Sequence, residues 1–114
     1  MHETMVAQGI FDTILAEAKK QNAKPISANL SCGLLNAVND EVLTFAFDAI
    51  AKGTICQDTK LEIEHKPMRG KCDNCGESFD IELTSPRCPD CNSDKFKLLP
   101  DPPLLLEAIE FETE

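Results

Sequence analysis

Tryptophan and tyrosine are absent from this chain of 114 residues, and six phenylalanines carry all of its aromatic character. Single-stranded nucleic acids are held by rows of stacked aromatic side chains, so that platform is missing. Cations are scarce too: eleven Lys and Arg stand against twenty Asp and Glu, a formal charge of −9. Without a cluster of basic side chains to neutralise phosphates, nucleic acid is an unsuitable partner, and an acidic surface suits a basic protein better. The deficit is uneven, because residues 66 to 97 hold six Lys/Arg against six Asp/Glu while the remainder holds five against fourteen. No apolar run approaches the length of a membrane span, and His2 and Glu3 stand where a secretory leader would carry its basic residues. These features together point to a cytoplasmic protein that contacts neither nucleic acid nor membrane. Only two histidines are present, His2 and His65. No nucleophile, base and pocket suggest themselves as a set, so the expectation is that the chain is not an enzyme.

Six cysteines contrast with these shortages, and four of them form Cys72-Asp73-Asn74-Cys75 and, after twelve residues, Cys88-Pro89-Asp90-Cys91. Paired thiolates three positions apart grip one ion from a tight turn, and Gly76 supplies the positive φ that such a knuckle needs. The spacing therefore predicts a structural Zn(II) held by Cys72, Cys75, Cys88 and Cys91. Disulfides are the competing assignment, but Cys32 and Cys56 stand alone in apolar surroundings, as thiols do in a reducing cell. Four thiolates close the zinc shell and leave no position for an activated water. A rubredoxin-like iron centre would need an aromatic shell that this chain lacks.

Periodicity sets out the rest. Val6, Ile10, Phe11, Ile14, Leu15 and Ala18 recur at helical spacing from Thr4 to Gln21, and Lys24-Pro25 is expected to stop that helix. Ile26, Ala28, Leu30, Cys32 and Leu34 alternate with polar residues as a strand does. Asn39 or Asp40 can cap a second helix running to about Lys52, whose apolar face would include Val42, Leu43, Phe45, Ala46, Phe47 and Ile50. Leu61 to His65 forms another alternating strand, and Leu104 to Glu112 a last one that returns to the same sheet. His65 shares strand parity with Leu61 and Ile63, which suggests a half-buried position, while Cys32 and Cys56 suit small core residues. The expected architecture is α+β, with two helices packed on a small mixed β-sheet and an inserted zinc-ribbon subdomain. Residues 1–66 and 101–114 would form the first unit, and 67–100 the zinc ribbon.

The first three residues, Met1-His2-Glu3, supply an amine, an imidazole and a carboxylate immediately before a helix. Fused chelate rings that recruit backbone amides give the tetragonal, nitrogen-rich geometry favoured by Ni(II) and Cu(II). This start, the Phe45-Ala46-Phe47 block, the Leu61-Glu62-Ile63-Glu64 strand and the two cysteine knuckles occur in an order that resembles the hydrogenase nickel-incorporation proteins, the HypA family, over essentially the full length.

The resemblance implies a nickel metallochaperone. It makes His2 the essential ligand for a transient Ni(II) cargo, with the Met1 amine, the amides of His2 and Glu3, and the Glu3 carboxylate completing or tuning the site. Asn39 stands where some relatives carry an acidic residue near that site, and Asp40 and His65 are neighbouring candidates to join it. The implied partners are the nickel-binding GTPase of hydrogenase maturation and the precursor of the [NiFe]-hydrogenase large subunit, with urease maturation proteins as further clients in some members. From the residues alone, a zinc-ribbon protein-interaction module without a second metal is the alternative.

Overall fold

The computed structural model describes residues 2–112. Helix α1 (Glu3–Gln21) buries Ala7, Ile10, Phe11, Ile14 and Ala18 along one stripe. It ends at Gln21, where the apolar spacing places its end and before Lys24-Pro25 is reached, because Asn22 adopts the left-handed conformation at φ 50° and lets the Ala23 N–H reach the Ala18 carbonyl. Asparagine tolerates that conformation better than most residues, and Lys19 and Lys20 in the last turn complement the helix dipole. Pro25 then opens strand β1 (Pro25–Gly33).

Strand β1 is the centre of a mixed three-stranded sheet. It pairs in parallel with β2 (Lys60–Lys66) on one side and antiparallel with β6 (Leu105–Phe111) on the other. Ala28, Leu30 and Cys32 face the core as the alternation predicts. Ile26 shares their parity but is exposed, since a register shift against β6 between Pro25 and Ser27 turns it away. Leu34 likewise leaves the pattern, because the strand passes into a 3-10 turn (Leu34–Asn36). Gly33 is required at that junction. A Cβ there would overlap the Asp101 carboxylate, which accepts hydrogen bonds from the Asn36 N–H at 2.8 Å and from its Nδ2 at 2.7 Å. The returning chain is held at the same point, where Gly33 N–H donates to the Pro102 carbonyl at 2.9 Å.

Helix α2 (Asp40–Ala51) starts at Asn39, whose Oδ1 accepts the Val42 N–H at 3.0 Å, so one orphan donor of the first turn is satisfied. Leu43, Phe47 and Ala51 form a buried seam at a spacing of four, and Phe47 meets the Phe11 ring of α1 edge-on at 6.4 Å. The apolar face is narrower than the sequence suggests. Val42 and Phe45 belong to the expected face but are exposed, Phe45 at 77 %. Residues two apart sit about 200° apart around a helix, so Phe45 and Phe47 point to nearly opposite sides.

The helices and the three strands share one buried cluster, which also takes in Val38 and Cys56. A second, separate cluster is built by Cys72, Phe79, Ile81 and Cys88, with Met68, Cys91 and Phe96 against it. Its frame is an antiparallel sheet in the order β4 (Ser78–Asp80), β3 (Arg69–Cys72), β5 (Phe96–Leu98). Phe79 and Phe96 pack edge-on at 5.4 Å across it.

Candidate metal centres

Two knuckles bring the four cysteines of the ribbon together. In the first, Gly76 at φ +79° lets its N–H reach the Cys72 carbonyl at 3.0 Å, and the Cys72 Sγ receives the N–H groups of Asn74 and Cys75 at 3.4 and 3.5 Å. The second repeats the turn without glycine: Asn92 takes φ 62° and donates its N–H to the Cys88 carbonyl at 2.8 Å.

The sulfurs converge. Cys72 and Cys91 lie 3.5 Å apart, as do Cys75 and Cys88, and all four Sγ atoms fall within 4.8 Å of one another. Tetrahedral bonds of about 2.3 Å to zinc place sulfurs about 3.8 Å apart, so the arrangement fits one ion. None of the six cysteines is disulfide-bonded. The metal-free thiols divide sharply. A backbone hydrogen bond at Glu77 favours the Cys75 thiolate, yet burial and the surrounding sulfurs of Cys88, Cys72 and Cys91 push its pKa up to about 12. Hydrogen bonds from the Asn74 side chain, at Ser93 and from Cys72 draw Cys91 down to about 6. One sulfur thus ionises readily while another keeps its proton, and a bound cation would have to displace that proton.

At the start of the chain, Met1 lies outside the described residues. His2 precedes α1 with its side chain exposed, and its carbonyl accepts the Val6 N–H at 3.1 Å. Glu3 opens the helix, and its carboxylate accepts the Asn39 N–H at 3.1 Å, which ties the start of α1 to the cap of α2. That N–H first, and the backbone N–H of Glu3 itself second, hold the carboxyl below its ordinary value of 4.5. A lowered folded value means that the link is fully formed above pH 4.5 and is lost as acid carries the pH through the lower midpoint. The Asn39 amide proton should therefore titrate in NMR spectra with a midpoint below 4.5, and Glu3→Gln should abolish that titration.

Asp40 and His65 meet each other, with His65 Nε2 2.7 Å from Asp40 Oδ1. The opposite ring nitrogen, Nδ1, lies 3.5 Å from the Sγ of buried Cys32, its partner in the parallel β1–β2 register. A chain of side chains thus runs from the core thiol to the first turn of α2. Among the described residues, the four ribbon cysteines form the only group of three or more His, Cys, Asp or Glu ligand atoms close enough to share an ion. His2, Glu3, Asp40 and His65 do not form such a group. No helix among the described residues is long and apolar enough to cross a membrane.

Comparison with known proteins covers nearly the whole chain. The family described as "Hydrogenase/urease nickel incorporation, metallochaperone, hypA" matches residues 1–111. The hydrogenase maturation factor HypA of Prosthecochloris aestuarii is 34 % identical over 113 residues, 98 % of this chain and 100 % of that protein. The hydrogenase maturation factor HybF of Escherichia coli K12 is 27 % identical over 113 residues, again 98 % and 100 %. In fold, the solution structure of the nickel metallochaperone HypA from Helicobacter pylori aligns over both full chains with a TM-score of 0.63 at 23 % identity. A second HypA solution structure gives a TM-score of 0.70 at 23 % identity, over 100 % of this chain and 98 % of the other.

Proposed function

This chain belongs to the HypA family of nickel metallochaperones for hydrogenase maturation, and from that premise we propose that it binds Ni(II) at its amino terminus and delivers it to a maturing [NiFe]-hydrogenase. The observation that carries this reading is the local structure of His2. Its imidazole is exposed, and it stands just ahead of α1, where backbone N–H groups have no intrahelical acceptor. An imidazole, two such amides and the Met1 amine make a nitrogen-rich donor set suited to square-planar Ni(II). The Glu3 carboxylate, already engaged by the Asn39 N–H, would tune the site from beside it. Protons compete with every one of these donors, so the cargo can be released when a partner offers better ligands.

Zinc has the opposite task. Cys72, Cys75, Cys88 and Cys91 would hold it permanently, completing a unit of residues 67–100 whose own core is small, while residues 1–66 and 101–114 carry the nickel site. The two separate buried clusters support that division. By family, the recipients are the nickel-binding GTPase of the pathway and the hydrogenase large-subunit precursor, with urease maturation as a further client. The role is carriage rather than catalysis, and the cytoplasm is where such partners are made.

Titration of zinc-loaded protein with Ni(II), beside His2→Ala and a version extended by one residue before Met1, tests the proposal. Tight nickel binding with the yellow, diamagnetic signature of a square-planar complex should appear in the native chain and be lost in both variants. Equal binding by all three would remove the amino-terminal site and return the chain to a zinc-ribbon interaction module.

A further inference from the structure

The exposed side of α2 carries a feature that neither metal site uses. Phe45 projects 77 % exposed, Val42 beside it is 47 % exposed, and Asp40, Glu41, Thr44 and Asp48 line a shallow depression against the Phe45 ring. Glu41, Thr44, Phe45 and Asp48 follow the spacing of one helix face. Leaving a phenylalanine ring in water forgoes the burial free energy that Phe47 gains two residues later, so its exposure asks for a partner.

Charge identifies the kind of partner. Helix α2 contains no Lys or Arg, and among the described residues neither Glu41 nor Asp48 has an ion-pair partner. An aromatic knob rimmed by unneutralised carboxylates complements a surface that offers an apolar socket surrounded by cations. A second copy of this chain is disfavoured, since pairing the face with itself would set Glu41 and Asp48 against like charges. A nucleic acid or an anionic membrane is repelled for the same reason.

We propose that Val42 and Phe45, framed by Glu41 and Asp48, form the docking site for a basic amphipathic segment of a partner protein, with Phe45 as its anchor. The placement adds a functional sense. The cap of this helix, Asn39, is bonded to Glu3, so a partner seated on α2 lies beside the amino terminus. That the face serves nickel hand-over rests on the proposed amino-terminal site; the docking itself does not.

The probe is a synthetic amphipathic helix with a leucine stripe and lysine flanks, added to full-length zinc-loaded protein and followed by amide NMR shifts and calorimetry. Shifts should centre on residues 41–48, and binding should weaken as salt rises. Phe45→Ala should weaken it about tenfold or more, as expected for an aromatic anchor, while leaving the thermal midpoint in place because the ring is exposed. Glu41→Gln with Asp48→Asn should flatten the salt dependence, and His2→Ala should bind the peptide normally even where it fails to bind nickel. The proposal is overturned if Phe45→Ala binds as tightly as the native chain or if a lysine peptide without leucines binds equally. It is also overturned if the shifts gather on the acidic strands around Glu62, Glu64 and Glu107, or if the native chain self-associates through Phe45 instead.

Discussion

Cys72→Ser should strip the ribbon of its metal and unfold it while the two-helix unit stays folded. Structural zinc contributes about 10–16 kcal/mol of apparent binding free energy at neutral pH, far more than the ribbon's own apolar core can supply. That core rests on Phe79, Ile81 and Phe96 around the sulfurs, and Cys72 itself is buried at its centre. Serine offers a hydroxyl that stays protonated, leaving three ligands and an unpaired buried oxygen. Metal content by mass spectrometry should fall from one equivalent to a small residue. Amide resonances of the ribbon should collapse to unfolded positions while those of α1, α2 and β1 persist. Retention of one full zinc would contradict the four-ligand assignment.

Acid should act in the same direction as the mutation. In the metal-free cluster the Cys75 thiol, raised to about 12 by its neighbouring sulfurs, keeps its proton at neutral pH, whereas Cys91, drawn down to about 6, is largely ionised. Loading therefore releases protons, and falling pH weakens retention, more steeply once the pH drops through about 6 and Cys91 also reprotonates.

The second large effect belongs to the helical unit. Phe47→Ala should cost about 3–5 kcal/mol, the range for emptying a fully buried aromatic site. Phe47 is wholly buried and meets Phe11 edge-on, so truncation removes both the apolar burial and the ring contact that joins α2 to α1. Small domains hold only about 5–15 kcal/mol in total, and the urea midpoint should fall accordingly. Phe45→Ala, two residues away, should change stability by no more than about 0.5 kcal/mol, as for other exposed positions. A similar loss from both substitutions would mean that the two rings share one environment, contrary to the structure.

Much of this architecture could be read in advance. Helix α1 and the three long strands follow from apolar spacing, and the ribbon from two knuckles that need only local geometry. What escaped was whatever depends on register or on the angle between elements. The bulge that exposes Ile26 arises from pairing with β6, a strand far away in sequence. Ser31, polar and expected outside, is buried, and its Oγ is satisfied by donating to Glu107 Oε1 of β6 at 2.6 Å. The Cys32, His65 and Asp40 chain needs a parallel register between β1 and β2 that no local pattern encodes. The run Phe45-Ala46-Phe47 looked uniformly apolar, yet only the packing angle of α2 on α1 decides which ring is covered. Asn92 at positive φ is legible in principle, since asparagine is among the few residues besides glycine that are enriched in that conformation.

The central position of β1 between an early and a late strand also governs how the protein emerges from the ribosome. All residues from Leu34 to Leu104 must be synthesised before β6 exists. At about 5–20 residues per second, one edge of β1 therefore remains open for seconds, displaying unpaired backbone groups. During that interval the nascent chain is vulnerable to strand-to-strand association, and capture of a metal ion by the four ribbon cysteines would shorten the tether across which β6 must find its place.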